Sequence, residues 1–404
     1  MVLHSKKEIN GLSLLLAVTY MVSYMTRVNY GAVIAEMVTE TGAARSAFAL
    51  ALTGSFVTYG LGQVVSGLCA DRFSPKKLVA CGLAATTVMN GLIVLCRDPF
   101  GMLAVWSVNG FAQAFLWPPM VRIMTARLSP QDYDRVVVRV SWGSSMGTVL
   151  VYLISPVLIT LAGWRSVFLC SAACGCAMFF VWNGCCCDVP VERKRDRGNT
   201  QSGGILFSPL MLCVMAAIVL QGMLRDGVTT WMPSYIAETY SLSNQSAILS
   251  GVVLPLFSVL SLHAASLLYR KRLTDPMLCA AVIFVIGGAS ALALLGAGGK
   301  QPALSVLFSA LLTGSMHGVN LIQTGIIPSF FRKYGNVATV SGVLNSCTYV
   351  GSAISTYGIA VLSETMGWNG TILLWVVIAA GGALLSLACV KGWQKRFYET
   401  GSAA

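Results

Sequence analysis

The chain has 404 residues, 56% of them hydrophobic and only 10% charged, with a formal net charge of +12. Soluble domains carry about 25% charged residues, so this composition excludes an ordinary soluble domain and describes a membrane protein. The positive charge would suit a nucleic-acid partner, but it is gathered between apolar runs in a topological pattern, and no nucleic-acid partner is expected.

Apolar runs of about 20 residues, each long enough to cross about 30 Å of hydrocarbon as a helix, recur along the whole length. Twelve are expected, at approximately 10–36, 46–70, 76–96, 101–126, 137–161, 165–184, 206–235, 246–269, 275–297, 303–327, 338–362 and 369–390. The fold class is therefore an all-α membrane protein with twelve transmembrane helices. Continuous runs rather than alternating ten-residue segments exclude a β-barrel.

The first run follows a short charged stretch without a small-residue cleavage site, so no removable signal peptide is expected. It contains Arg27, followed by Asn29 and Tyr30. An arginine at the centre of a spanning helix costs about 2.5–3.5 kcal/mol even on lenient insertion scales, and by default marks a functional site. The second run carries Tyr59 and Gln63 and ends in Gly67-Leu-Cys-Ala-Asp71-Arg72-Phe-Ser-Pro-Lys76-Lys77. Gly67 permits close backbone approach, Ser74-Pro75 forms a turn, and Asp71 can offer its carboxylate to a helix N-terminus or an arginine.

The fourth run holds Gln113 and then Trp117-Pro118-Pro119, expected to kink it near its end. Gly163-Trp164 opens the sixth, which closes on Cys185-Cys186-Cys187. That run lacks the paired spacing and histidines of a zinc site, and no metal or cofactor is expected. Residues 188–204 are polar, charged and aperiodic, and divide the chain into an N-terminal half (1–187) and a C-terminal half (205–404).

The seventh run contains Arg225-Asp226-Gly227, then Trp231, Pro233 and Tyr235. His317, Asn320 and Gln323 lie in the tenth, Asn345 and Tyr349 in the eleventh, and Gly367-Trp368 opens the twelfth. Each of these polar residues can hydrogen-bond a hydroxylated ligand or a neighbouring helix. His317 can in addition carry a proton near neutral pH. The three histidines are isolated, and no HExxH, GxSxG or P-loop pattern occurs, so no enzymatic chemistry is expected.

Three features repeat across the divide. Arg27 recurs as Arg225 at an offset of 198, Asp71-Arg72 as Tyr269-Arg270 at 198, and Gly163-Trp164 as Gly367-Trp368 at 204. Together they indicate a duplication into two pseudo-symmetric six-helix halves. With the N-terminus placed in the cytoplasm, 19 of the 27 Lys and Arg fall on the cytoplasmic side and 4 (Arg45, Arg97, Arg165, Lys300) on the other. Both termini are therefore expected in the cytoplasm of a multi-pass inner or plasma membrane protein.

The loop pattern GxxxDRxxxKK between the second and third spans resembles the signature of the major facilitator superfamily, whose two halves are related by an axis along the membrane normal. In that superfamily the loop latches the cytoplasmic side, which implies Gly67, Asp71 and Arg72 as gating residues; here Tyr269 replaces the acid in the second copy. Arg27-Val-Asn29-Tyr30, Trp117-Pro118-Pro119 and Arg225-Asp-Gly-x-x-x-Trp231-x-Pro233-x-Tyr235 narrow the resemblance to the organophosphate:phosphate antiporters, the glycerol-3-phosphate and hexose-6-phosphate carriers. That resemblance implies that Arg27 and Arg225 clasp a phosphate, although guanidinium forks suit carboxylates equally. It also implies a site between the halves with access from alternate sides. Two family cations are missing: Gln63 stands in place of a lysine and Met146 in place of a histidine. The alternative role for the two arginines is structural, as partners of Glu36, Asp226 or backbone carbonyls.

The expected function is secondary transport of a small organic anion of the sugar phosphate or glycerol phosphate type, by a monomer in the lipid bilayer, exchanged against inorganic phosphate or coupled to protons. Proton symport of a carboxylate such as a sugar acid is the alternative within transport. A membrane sensor is the alternative from another class, disfavoured by a C-terminal tail of only about 14 residues beyond the last apolar run. The substrate-binding set is Arg27, Arg225, Asn29, Tyr30, Tyr59, Gln63, His317, Asn345 and Tyr349.

Overall fold

A computed structural model describes residues 3–42, 45–189, 204–241, 253–297, 301–334 and 336–399. They are helical nearly throughout. The elements are α1 (Lys6–Thr41), α2 (Arg45–Ala70), α3 (Pro75–Leu92), α4 (Pro99–Gln113), α5 (Trp117–Arg127), α6 (Pro130–Ala162), α7 (Arg165–Cys185), α8 (Pro209–Tyr240), α9 (Val253–Lys271), α10 (Pro276–Ala297), α11 (Pro302–Asn320) and α12 (Val337–Gln394). α12 joins two helices across Gly367, whose φ of 68° is positive. A π-helical turn, Leu321–Ile326, and a 3-10 segment, Ile327–Tyr334, extend α11.

Local sequence sets the boundaries. Three helices start with a capping side chain followed by proline, which lacks the N–H that would go unsatisfied in a first turn. The Ser74 hydroxyl accepts from the Lys77 N–H at 3.2 Å, Asp98 from Gly101 at 2.8 Å, and Ser129 from Asp132 at 3.2 Å. Gly163, at φ 73°, ends α6 and turns the chain into α7.

Ten helices among the described residues are long and apolar enough to cross a membrane. The other two expected spans, 46–70 and 101–126, correspond to α2 and to the α4–α5 pair. Here the expectation of a kinked helix needs correcting. The helix stops at Gln113 and restarts at Trp117, so Pro118 and Pro119 lie in the first turn of α5 instead of bending an intact helix. Their missing N–H groups cost nothing at that place. The expected ninth span begins at 246, and its residues up to 252 lie outside the described residues.

The chain divides into two compact units, Met1–Arg195 with Gly335–Ser346, and Asp196–Tyr334 with Cys347–Ala404. Each is built inside out. Bulky apolar side chains such as Phe100 (77%), Leu161 (76%) and Leu384 (68%) are exposed, whereas Asn29, Gln63, Asn90, Asn109 and Gln221 are at 0%. Water does not reward that distribution, but lipid does, because polar side chains there must find partners inside the bundle.

One close crossing occurs in both units. A Cβ on Gly147 of α6 would collide with the Met21 carbonyl of α1, and one on Gly351 of α12 with the Val219 carbonyl of α8. The glycines are 204 residues apart and the carbonyls 198, which extends the sequence repeat to the backbone.

Candidate functional site

In the first unit Arg27 is half-buried on α1. Its guanidinium carbon lies 4.0 Å from the ring centroid of Tyr24, one turn earlier, and 4.9 Å from that of Tyr59 on α2. Aromatic faces attract a guanidinium while leaving its N–H groups pointing outward in the ring plane, the geometry that grips an oxyanion.

Behind Arg27, polar side chains tie α1, α3 and α4 together. Asn29 donates to Asn90 Oδ1 at 2.7 Å, and both Asn90 and Asn109 donate to the Thr26 carbonyl, at 3.0 and 3.2 Å. Gln113 donates to the Thr26 and Thr86 hydroxyls at 2.8 and 2.7 Å, and Thr86 in turn donates to Asn109 Oδ1 at 2.5 Å. The network fixes the rotation of α1 and therefore the direction of Arg27. Tyr30 points the other way, into a cluster with Trp106 and Phe168, its hydroxyl donating to the Phe48 carbonyl at 3.3 Å.

The loop after α2 holds the first turn of α12. The Asp71 carboxylate accepts from the Ala338 and Thr339 N–H groups at 3.1 and 2.7 Å, an acid at a helix N-terminus. Burial raises the Asp71 carboxyl above its ordinary value; the Thr339 and Ala338 N–H groups and the Arg122 charge pull the other way. A Cβ on Gly67 would sit 2.6 Å from the Ala338 carbonyl, and one on Gly342 would meet the Gln63 carbonyl, so α2 and α12 touch backbone to backbone. Arg72 is exposed. Gln63 donates to the Ala114 carbonyl at 3.4 Å, while its buried Oε1 has no partner among the described residues.

In the second unit Arg225 is 8% exposed on α8. Its Nε and Nη2 donate to the two carboxylate oxygens of Asp226 at 2.7 and 2.8 Å, and the Ser352 hydroxyl of α12 also donates to that carboxylate. The guanidinium carbon lies 5.9 Å from the Tyr349 ring centroid. His317 on α11 feels the charges of both Arg225 and Asp226. Asn320, one turn on, donates to Gln221 Oε1 and Thr348 Oγ1, each at 3.4 Å.

A staple recurs at the far end of each unit. Trp164 donates its indole N–H to Glu40 at 2.7 Å, and Trp368 donates to Glu238 at 2.7 Å. Arg165 adds an ion pair to Glu40 at 2.6 Å. That hydrogen bond holds the Glu40 carboxyl below its usual value, against the effect of burial.

The family signature of the Major Facilitator Superfamily matches residues 16–356. The chain belongs to that superfamily. Among its relatives, the membrane sensor protein UhpC of Salmonella typhimurium is 22% identical over 93% of this chain and 90% of its own length. A probable hexose phosphate transport protein of Chlamydia muridarum is 25% identical over 36% of this chain and 32% of its own. The proton:xylose symporter XylE superposes with a TM-score of 0.73 at 14% identity, over 96% of each chain. This major facilitator protein thus has the superfamily's fold and is a multi-pass membrane protein rather than an enzyme.

Of the residues picked from sequence, Arg27 meets Tyr59, and Arg225 meets Tyr349, with His317 in range of the Arg225 charge. Asn345 belongs to the first unit, with the start of α12, and Tyr349 to the second. Met146, in the place of the family histidine, is 43% exposed. Glu36 is exposed and lies nine residues, about 13 Å of helix, beyond Arg27. Arg225 pairs with Asp226, one of the structural partners expected for it. Tyr24, Ser352 and the network members Thr26, Thr86, Asn90 and Asn109 were missed, whereas Gln113 was picked and joins that network. Asn109 and Gln113, like Thr86 and Asn90, are four residues apart in apolar helices, a spacing that places both on one face and could have flagged them. The Cys186 thiol is buried and pushed up to about 11, mainly by that burial.

Proposed function

We propose that this protein is a secondary transporter of a small organic anion of the sugar phosphate or glycerol phosphate type, working by alternating access in a plasma membrane with both termini in the cytoplasm. Arg27 and Arg225 are its anion ligands. The observation that carries this reading is the repeated arginine, once per half at an offset of 198, each guanidinium against a tyrosine face. Burying one such charge in a spanning helix is expensive; repeating it needs a ligand that benefits. The likeness to a probable hexose phosphate transport protein supports a phosphorylated substrate. Tyr59, Gln63, His317, Asn345 and Tyr349 are proposed to serve the hydroxylated part of the ligand. Asn29 and Tyr30 are proposed to act through position, since their polar atoms are engaged in their own unit. The Asp71 cap on α12, with Gly67 and Arg72, is proposed as the gate.

A second reading, a membrane sensor of the same ligand class, is favoured by the likeness to UhpC over nearly the whole chain. Uptake into proteoliposomes against a panel of sugar phosphates, glycerol phosphate and sugar acids decides between them. Saturable uptake of a phosphate ester, inhibited by inorganic phosphate, supports the transporter. Binding of the ester without flux means a sensor, and uptake of a sugar acid alone means a carboxylate carrier.

A further inference from the structure

One edge of the Arg225 guanidinium, Nε and Nη2, is already filled by the residue next to it. Asp226 offers both carboxylate oxygens to Nε and Nη2, the two-point grip that a phosphate or carboxylate ligand would use. Neighbouring residues on a helix point about 100° apart, so this pairing requires both side chains to turn toward each other. Ser352 donates its hydroxyl to the same carboxylate from α12. The equivalent of Asp226 in the first half is Val28, so Arg27 has no such neighbour built in. An anion can take the Nε–Nη2 edge of Arg225 only when the carboxylate gives it up. Among the described residues, groups facing the pair include His317 from α11 and, on α12, Tyr349 against the guanidinium and the Ser352 hydroxyl.

Resting on Arg225 as an anion ligand, we infer that Asp226 is an exchangeable internal counterion that takes up a proton when the substrate anion displaces it from Arg225, so that one proton travels with each anion. The cycle balances. A proton from the loading side adds to a carboxylate oxygen of Asp226, and the resulting neutral acid no longer competes for the guanidinium. The anion occupies the fork and is carried across. On the other side the anion leaves, Asp226 releases its proton there and re-forms the pair with Arg225. The linkage has a definite sign: protons promote anion binding, and affinity weakens as pH rises.

The test uses full-length protein in proteoliposomes with a radiolabelled hexose monophosphate. Wild type should accumulate the label when a proton gradient is imposed; one pH unit supports about tenfold accumulation at one proton per anion. Its affinity in gradient-free exchange should weaken as pH rises through the neutral range. Asp226→Asn should lose the accumulation, and its exchange should keep only the pH dependence of the ester's own second ionisation, at about pH 6, and be tighter than wild type at the alkaline end. Ser352→Ala keeps the acid and should still accumulate label, with a displaced pH profile. His317→Gln should retain the pH dependence. Gradient-driven accumulation by Asp226→Asn would overturn the inference, as would pH dependence lost in His317→Gln, which assigns the proton to the imidazole. An Asp226→Asn protein that is folded by thermal melting yet without exchange would make the pair structural. No exchange by the wild type with any phosphate ester would instead remove the organophosphate reading itself.

Discussion

The two units share a backbone plan and differ in their charges. Both bring a glycine against a carbonyl at matching places, Gly147 on Met21 and Gly351 on Val219, and both tie a tryptophan indole to a glutamate. Yet Arg27 rests between two tyrosine rings, whereas Arg225 is held by an acid that the first half lacks. Conversely, Asp71 caps α12 in the first unit, and its counterpart in the second half is Tyr269. Duplicated helices preserve the contacts that set their crossing, while the charged positions diverge.

The largest expected effects come from the arginines, and they should be unequal. Arg27→Lys keeps the charge and loses the fork, which should weaken binding of a phosphate ester by about 1.5–3 kcal/mol, the range for a hydrogen bond to a charged group. Arg225→Lys should weaken it less, because part of that fork is spent on Asp226. Equilibrium titration of both purified variants checks the order, and equal losses would break the contrast between the units. The glycine crossings should instead behave alike. Gly147→Val and Gly351→Val each force backbones apart and should destabilise by about 1–3 kcal/mol, typical of overpacking, seen as matched drops in melting temperature.

Smaller is the effect at the gate. Asp71→Asn keeps one acceptor and loses the charge at the α12 N-terminus, a contact worth about 0.5–2 kcal/mol. Transport should slow while equilibrium affinity stays within a few-fold, and cysteine probes on the two sides of the membrane should change in accessibility. Tyr269→Phe, at the degenerate copy, should leave rates unchanged. Smallest is the staple. Since the folded Glu40 carboxyl lies below its usual value, its contribution is full above the ordinary carboxylate range and lost as pH falls through the lowered value. Acid melting should therefore fall less steeply in Glu40→Gln than in wild type.

The helices and the two arginines were legible because a charge in an apolar run stands out one residue at a time, and Asp71 because its loop has a recognisable pattern. What a single sequence does not carry is the rotational phase of one helix against the next. Asn29 and Tyr59 look equally available as text, but the network through Thr26 turns Asn29 away and leaves Tyr59 beneath Arg27. Ser352 is 126 residues from Asp226 and carries no signal of its own. The prolines at 118 and 119 were visible, but whether they bend a helix or begin one depends on the break at 114–116. Glu40 and Glu238 repeat at the offset of the arginines and were there to be read; their exposed positions near the ends of α1 and α8 made them look like ordinary surface acids.

The central claim is that both arginines hold the transported anion. Its most direct test is counterflow of a labelled hexose phosphate into proteoliposomes preloaded with unlabelled ester, comparing wild type, Arg27→Lys and Arg225→Lys at matched folded protein. The account predicts saturable counterflow by wild type, inhibited by inorganic phosphate, and a raised half-saturation concentration in both variants, more so for Arg27→Lys. Wild-type kinetics in both lysine variants would contradict it and leave the arginines as structural pieces of the bundle.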